Sequence, residues 1–440
     1  MEIVSLFYTL AAFVVALSII VAVHEYGHYI VGRWCGIHAE VFSLGFGPIL
    51  YSRVDRHGTQ WQVAAIPFGG YVKFLGDADA ASGKDGEYFQ KMDPSGIERT
   101  MHGAKLWKRS ATVAAGPVFN FILSMIIFAG IALFQGQATE RPTIGELRTV
   151  PESLGAVNLL PGDVLLEVEG QATPDYTTLY EIVDAVQPPG RLNYLIERND
   201  QTFEVEGPFA LPPIVGALSL QSAAIDSALR EGDWIMEIDG QPIVAFAELR
   251  EAVAGGEGAE LELTVWRDGE TFTVPLQPKR TDLPSADGGF ESRWLIGVAP
   301  GLLFDPAVQP MGLFASIGYG AEQTFAVMQN SIQGLFHIIT GAISSCNLQG
   351  PIGIAEISGQ AASQGLGNFI WIIAVLSTAV GLINLFPIPV LDGGHLVFHA
   401  YEAVSGHPPS DKMLKVMMSA GLAVILSFML FALSNDLFCP

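Results

Sequence analysis

Four long apolar runs limit what this chain can fold into more than any other feature. They cover about Val4 to Val31, Ala111 to Phe134, Phe369 to Pro387 and Met413 to Leu433. Each comes close to or exceeds the roughly 20 residues with which a helix crosses a bilayer. Any one run could instead be a buried core helix. For the second and fourth that reading is weak, because both are almost free of charge and follow lysines or an arginine. The first could be mistaken for a secretory leader, but its start carries Glu2 and no Lys or Arg. Composition agrees with membrane insertion: half the residues are apolar, 15% are charged and the mean hydropathy is +0.38.

Basic residues near the ends of the runs set an orientation. Arg33 follows the first run, Lys105, Lys108 and Arg109 precede the second, and Lys412 and Lys415 open the fourth. All fall on one side, which is therefore expected to be cytoplasmic, with both termini outside. The stretch of about 135 to 368 is then extracytoplasmic, and in a Gram-negative cell periplasmic. The 22 Lys and Arg stand against 45 Asp and Glu, a net charge of −23. That balance argues against a nucleic-acid partner, which needs clustered cations for its phosphates. Cys35, Cys346 and Cys439 lie far apart and look like neither a disulfide framework nor a CxxC metal site.

A chain of 440 residues is long enough for several domains. The outer stretch contains a repeat. Gly162-Asp163-Val164-Leu165-Leu166-Glu167-Val168-Glu169-Gly170-Gln171 recurs as Gly232-Asp233-Trp234-Ile235-Met236-Glu237-Ile238-Asp239-Gly240-Gln241, and Arg198 to Val205 recurs as Arg267 to Val274. Each copy reads as turn, strand, glycine turn, helix and strand pair, with Leu179 and Val183, or Leu249 and Val253, marking the apolar helix face. Two copies are too few for a solenoid, so two small modules are expected. Each resembles a PDZ domain of the bacterial protease-associated type, which implies binding of extended peptides by strand addition. A spacer or filter role is the alternative.

Between the first two runs, residues 41–74 mix β-formers with Gly and Pro, as in Ile66-Pro67-Phe68-Gly69-Gly70-Tyr71-Val72-Lys73-Phe74. Hairpins with an open edge are expected, apolar enough to dip into the membrane where protein or water satisfies the backbone. Residues of about 307 to 345 have an amphipathic helical pattern, expected to give one or two helices on the outer face. A fifth span is disfavoured there by Glu322, Gln323, Gln329, Asn330 and Gln333.

The chemistry enters with His24-Glu25-Tyr26-Gly27-His28. Positions i and i+4 share a helix face, so both imidazoles can reach one Zn²⁺, and Glu25 can serve as general base. An ionised carboxylate at mid-helix costs at least about 2.5 kcal/mol to insert. Three polar groups in five residues of an apolar helix therefore call for a partner, and a divalent metal is the obvious one. A polar cluster gluing helices together is the bland alternative. A catalytic zinc wants a third protein ligand. Asn384-Leu385-Phe386-Pro387-Ile388-Pro389-Val390-Leu391-Asp392-Gly393-Gly394-His395 ends the third run, and its prolines interrupt a helix just before a carboxylate. Asp392 alone would pass for a surface turn residue. His395 and His399 are poorer ligand candidates, and His38, His57, His102, His337 and His407 have no motif partner.

Together HExxH and N-x-x-P-x-x-x-x-D-G resemble the site-2 protease family of intramembrane metalloproteases. The tandem PDZ-like pair between the second and third spans is similar to the bacterial regulator-of-sigma-E protease group of that family. The resemblance implies His24, His28 and Asp392 as zinc ligands and Glu25 as catalytic base. It implies substrate contacts for Asn384, for Asn120 in Gly116-Pro117-Val118-Phe119-Asn120, and for Gly70 and Tyr71 in a membrane-reentrant β-loop. It further implies site-2 cleavage of single-span membrane proteins, an anti-sigma factor in envelope-stress signalling and leftover signal peptides among them.

The expected fold is thus a multi-span α-helical membrane protein of about four transmembrane helices, with a membrane-reentrant β-hairpin region and two extracytoplasmic PDZ-like α+β domains. Residues 1–134 would hold the first two spans with the hairpin, 135–210 and 211–300 the PDZ-like domains, 301–368 the amphipathic helices and 369–440 the last two spans. A noncatalytic PDZ-bearing adaptor with a relic metal site competes with this reading, but would have no need of Glu25. A metal transporter or sensor competes too, but no inverted repeat is found.

Overall fold

The computed structural model describes residues 2–77, 94–186, 191–284 and 290–439. The chain forms two compact units. One comprises Met1–Ile131, Leu313–Gly341 and Ser345–Cys439; the other comprises Ala132–Gly312 and Ala342–Ser344.

The first unit is built on long apolar helices. Helix α1 spans Glu2–Trp34, and strands β1 (Ala39–Val54) and β2 (Gln60–Phe74) follow it, leading to α2 (Leu106–Gln135). After the second unit come α3 (Leu313–Thr340), α4 (Pro351–Ser363), α5 (Leu366–Asn384), α6 (Asp392–Ser405) and α7 (Asp411–Phe438). Among the described residues, four stretches are long and apolar enough to cross a membrane: Leu6–Trp34, Leu106–Gln135, Leu366–Asn384 and Lys412–Phe438. Helix α3, rich in Gln and Asn, is not one of them. Large apolar side chains such as Leu422, Val424, Phe428 and Leu430 of α7 are exposed, an arrangement suited to a lipid solvent rather than water.

Small and polar residues hold these helices together, as expected where lipid removes the hydrophobic drive for association. Ser124 Oγ of α2 lies 2.8 Å from the Ala374 carbonyl oxygen of α5, and Ser377 Oγ of α5 lies 2.9 Å from that of Asn120. Helix α4, whose start Pro351 sets, closes on α1 at Gly359, where a Cβ would stand 2.5 Å from Thr9 Oγ1. Tyr8 OH donates to the Ala362 carbonyl 2.9 Å away. Helix α4 has no separate signature in the sequence, because its glycines and alanines carry little hydrophobic pattern.

One expectation is overturned. Cys346 and Cys439 form a disulfide, with Cα atoms 5.6 Å apart across 93 residues of sequence. Around it, Asp436 accepts the backbone N–H groups of Gly350 and Ile352 at 2.7 and 3.0 Å, and Asn435 Nδ2 donates to the Ser345 carbonyl at 2.7 Å. The end of α7 is thereby fastened to the start of α4. Spacing hid this pair, since a bridge between a helix end and a loop obeys no local pattern. Cys35 is free and buried.

Strands β1 and β2 are each bent, so that one segment of each pairs twice. Val41–Leu44 match Gln60–Val63 on one side and Gly70–Lys73 on the other, while Ile49–Val54 match Gln60–Ala64. Gly45 makes the bend with φ +88°, and a Cβ there would lie 2.7 Å from the Ile66 carbonyl oxygen. The sheet packs on α1 through Tyr29, Phe42, Val72 and Phe74. Asp55 ties its turn, accepting from the His57 and Thr59 backbone N–H groups, Trp61 Nε1 and Tyr29 OH. Partial burial opposes ionisation, but these donors prevail and pull the Asp55 carboxyl down to about 2.

The second unit holds the two repeat copies. Each has a four-stranded antiparallel sheet, in spatial order 171–172, 164–168, 191–198, 201–208 for the first and 241–242, 234–238, 261–267, 270–276 for the second. The helices Tyr176–Ala185 and Phe246–Gly255 bury Leu179 and Val183, and Leu249 and Val253. The repeated Asp explains much of the repeated sequence. Asp163 is paired with Arg198 through two contacts of 2.7 Å, and Asp233 with Arg267 through contacts of 2.6 and 2.7 Å. Both carboxylates are only 1% exposed, and each also accepts a backbone N–H, from Leu160 or Arg230. The return chain then completes both copies: Val298–Pro300 pairs with Val215–Leu218, and Phe304–Pro306 with Ile144–Leu147. The first copy therefore takes a strand from beyond residue 300.

Candidate metal centre

Helical periodicity delivers two imidazoles of α1 to one point. His24 Nε2 and His28 Nε2 stand 3.2 Å apart. Asp392, the first residue of α6, brings Oδ2 to 3.2 Å from His24 Nε2 and 3.5 Å from His28 Nε2. Among the described residues these three form the one group of His, Cys, Asp or Glu side chains close enough to hold a common metal ion. Donor atoms about 2.0–2.1 Å from a tetrahedral zinc stand about 3.3 Å apart, so the observed spacing fits. The chemistry fits too. Buried Asp392 Oδ2 has no hydrogen-bond donor directed at it, although two imidazole nitrogens face it. Two imidazole nitrogens and a carboxylate oxygen converging in this way form a donor set suited to a divalent cation.

Local structure explains how Asp392 gets there. Helix α5 ends at Asn384, and residues 385–391 turn before α6 begins. Gly393 and Gly394 let that turn fold onto the new helix. A Cβ at Gly393 would meet the Leu385 and Phe386 carbonyl oxygens at 2.3 Å, and one at Gly394 the Ile388 oxygen at 2.3 Å. The prolines and glycines flanking Asp392 thus act as geometry rather than as chemistry.

Helix α2 supplies the next layer. His28 Nδ1 lies 2.9 Å from the Thr112 carbonyl oxygen, which fixes its proton on Nδ1 and leaves Nε2 as a lone-pair donor. Two glycines allow the helices to cross so closely. A Cβ at Gly27 of α1 would stand 2.5 Å from the Ala115 carbonyl oxygen, and one at Gly116 of α2 would stand 2.3 Å from His28 Nε2 and 2.8 Å from His24 Cε1. Asn120 is fully buried, its amide nitrogen 3.3 Å from His24 Nδ1. The part of Thr112 had no sequence signal, since any residue offers a carbonyl.

Glu25 faces the sheet edge. A Cβ at Gly70 would lie 3.2 Å from Glu25 Cγ, so the side chain packs against this strand. Tyr71 points elsewhere, its hydroxyl accepting from Gln62 Nε2 at 3.2 Å and its ring stacking on Phe46. A cavity of about 380 Å³ opens between α1 and the sheet, lined by Tyr26, Phe42, Leu44, Trp61 and Val63 among others. Asn384 is half-buried as the last residue of α5. His395 lies outside the three-residue group. His399 instead faces Ser110, with Nδ1 3.2 Å from Ser110 Oγ, and burial beside Arg109 pushes it down to about 4.

The family model for peptidase family M50 matches residues 12–428, nearly the whole chain. The chain belongs to peptidase family M50. A protein of Agrobacterium fabrum provisionally named a zinc metalloprotease is 35% identical over 433 residues, covering 97% of this chain and 94% of the relative. The regulator of sigma-E protease of Salmonella typhimurium is 32% identical over 463 residues, covering 98% of this chain and 99% of the relative. This M50 member is a zinc-dependent intramembrane protease, and the adaptor and transporter readings fall away.

Proposed function

We propose that His24, His28 and Asp392 hold the catalytic zinc and that Glu25 is the general base for hydrolysis of a peptide bond in or near a substrate's transmembrane segment. The convergence of His24 Nε2, His28 Nε2 and buried Asp392 Oδ2 within 3.2–3.5 Å of one another carries this reading. A zinc ion held by these three residues would supply Lewis acidity for the scissile carbonyl and the attacking water. The Glu25 carboxylate takes the proton of the attacking water and returns it to the leaving amine nitrogen. Asn384 would bind substrate or stabilise the developing oxyanion.

A transmembrane substrate hides its scissile bond in helical hydrogen bonds and must unwind locally. The segment Gly70–Phe74 pairs with β1 on one side and runs beside Glu25, so an extended substrate added there as a strand would lie next to the base. The apolar cavity beside Tyr26 is suited to a substrate side chain. Helix-weakening residues in the substrate should therefore favour cleavage.

The bridged cysteines support the orientation. Cys439 ends α7, whose other end carries Lys412 and Lys415, and disulfides persist in oxidising compartments. We place the basic side in the cytoplasm and both termini, the disulfide and the PDZ-like pair in the periplasm, with the chain in the inner membrane. The PDZ-like modules would hold back substrates with bulky outer domains, so that cutting waits for an earlier cleavage. The name of the Salmonella relative supports an anti-sigma factor as one substrate; leftover signal peptides have the same single-span form.

The test is cleavage of a single-span substrate by the purified protein, with the cut mapped by mass spectrometry. A cut inside the apolar segment, stopped by a chelator and restored by zinc, is expected. A chelator-insensitive cut, or one far outside the membrane segment, would overturn the reading.

A further inference from the structure

We infer that Asn120 is a positioning residue for the metal centre: its side-chain carbonyl holds the Nδ1–H of His24 and thereby keeps the His24 Nε2 lone pair aimed at zinc. This rests on the proposal that His24 is a zinc ligand.

Asn120 is fully buried, which leaves it no open face toward a substrate. Its amide stands 3.3 Å from His24 Nδ1, on the side of the ring away from Asp392. The two ends of an amide have the same shape, and hydrogen bonding decides which end faces where. With Nδ2 donating to Nδ1, the imidazole would carry its proton on Nε2, where it could not ligate. Asn120 Oδ1 would then be buried without any partner, as it stands here. An orphaned buried acceptor costs roughly 1–3 kcal/mol. Turning the amide by 180° removes both faults, because Oδ1 accepts Nδ1–H and Nε2 becomes a lone-pair donor.

The arrangement then matches that of His28, whose Nδ1 is held by the Thr112 carbonyl oxygen of the same helix. One face of α2 thus sets the proton position on both imidazoles: Thr112 holds one, Asn120 the other, and Gly116 between them leaves room for the rings. Asn120 is itself held in register, since its backbone carbonyl lies 2.9 Å from Ser377 Oγ of α5. The Gly116-to-Asn120 element is in this view a support for the metal rather than a substrate contact.

The experiment measures zinc affinity by chelator competition on full-length protein in detergent, with the visible spectrum of the cobalt-substituted form and steady-state cleavage kinetics alongside. Asn120→Leu removes the acceptor and Asn120→Asp keeps it; Asn120→Ala is a second deletion that leaves a void rather than added bulk. Loss of an outer-shell partner typically costs 10–100-fold in metal affinity. A loss of about that size is expected for Asn120→Leu and Asn120→Ala, with an altered cobalt spectrum, a lower kcat and an unchanged KM. Asn120→Asp should bind zinc as the wild type does. Wild-type zinc affinity in both deletions with a raised KM would overturn the inference in favour of a substrate contact. Equal loss in Asn120→Asp would overturn it in favour of packing. His24→Ala serves as the control: if it holds zinc normally, the ligand assignment itself fails, independently of Asn120.

Discussion

Arg109, at the start of α2, makes a two-armed ion pair with Glu402 of α6, at 3.1 and 2.5 Å, with both side chains mostly buried. The helix that Asp392 begins is thus clamped to the helix that supports His28. Removing one partner of a buried pair typically costs about 3 kcal/mol or more. Glu402→Gln and Arg109→Met should each loosen α6, lowering zinc affinity and cleavage together. The exchange Arg109→Glu with Glu402→Arg should recover part of both. Additive losses in the exchanged protein would show that the two residues act separately.

Gly116→Ala is expected to be as damaging as loss of a ligand, though alanine is the better helix former. Its Cβ would stand 2.3 Å from His28 Nε2 and 2.8 Å from His24 Cε1, so both rings would have to leave the positions that bring them together. Zinc content measured by atomic emission should fall by about tenfold or more, with the helical circular-dichroism signal retained. Normal zinc content would mean that the helices cross less tightly than described.

In the second unit, Asp233→Asn leaves the half-buried Arg267 guanidinium against a neutral amide and weakens the cap on Arg230. A local destabilisation of about 1–3 kcal/mol is expected. Hydrogen exchange of the full-length protein should show faster exchange across Trp234–Ile238 and Leu261–Arg267, while Val164–Val168 stays protected. Uniform protection of both copies would contradict this.

The cysteines report both structure and orientation. In intact cells none of the three should react with a membrane-impermeant maleimide, because two are bridged and Cys35 is buried. After mild reduction, Cys346 and Cys439 should label from outside. Labelling of either without reduction would contradict the bridge, and labelling only from the cytoplasmic side would reverse the orientation.

Some of this was open to reading in the chain and some was not. The HExxH histidines were legible because an i, i+4 spacing on a helix leaves no choice of face. Asp392 was legible only through its motif, since an Asp-Gly-Gly segment after prolines also describes a surface turn. The repeated Asp and Arg of the second unit gave away two like modules, but not the strand Phe304–Pro306 that returns to pair with Ile144–Leu147. A strand of three residues carries too little pattern to be seen. Gly116 and Thr112 were illegible as neighbours of the proposed metal site because their parts depend on where two helices cross, a tertiary fact. The bridge between Cys346 and Cys439 was missed for the same reason, although helix direction alone places both on the side opposite the basic residues.

The most direct test of the account compares wild type with Glu25→Gln for cleavage of a single-span substrate, with zinc content measured on the same preparations. Glutamine keeps the size of the side chain and leaves His24, His28 and Asp392 untouched, so zinc should remain near one per chain while cleavage falls by at least about 100-fold. Cleavage that survives in Glu25→Gln would contradict the assignment of Glu25 as the base.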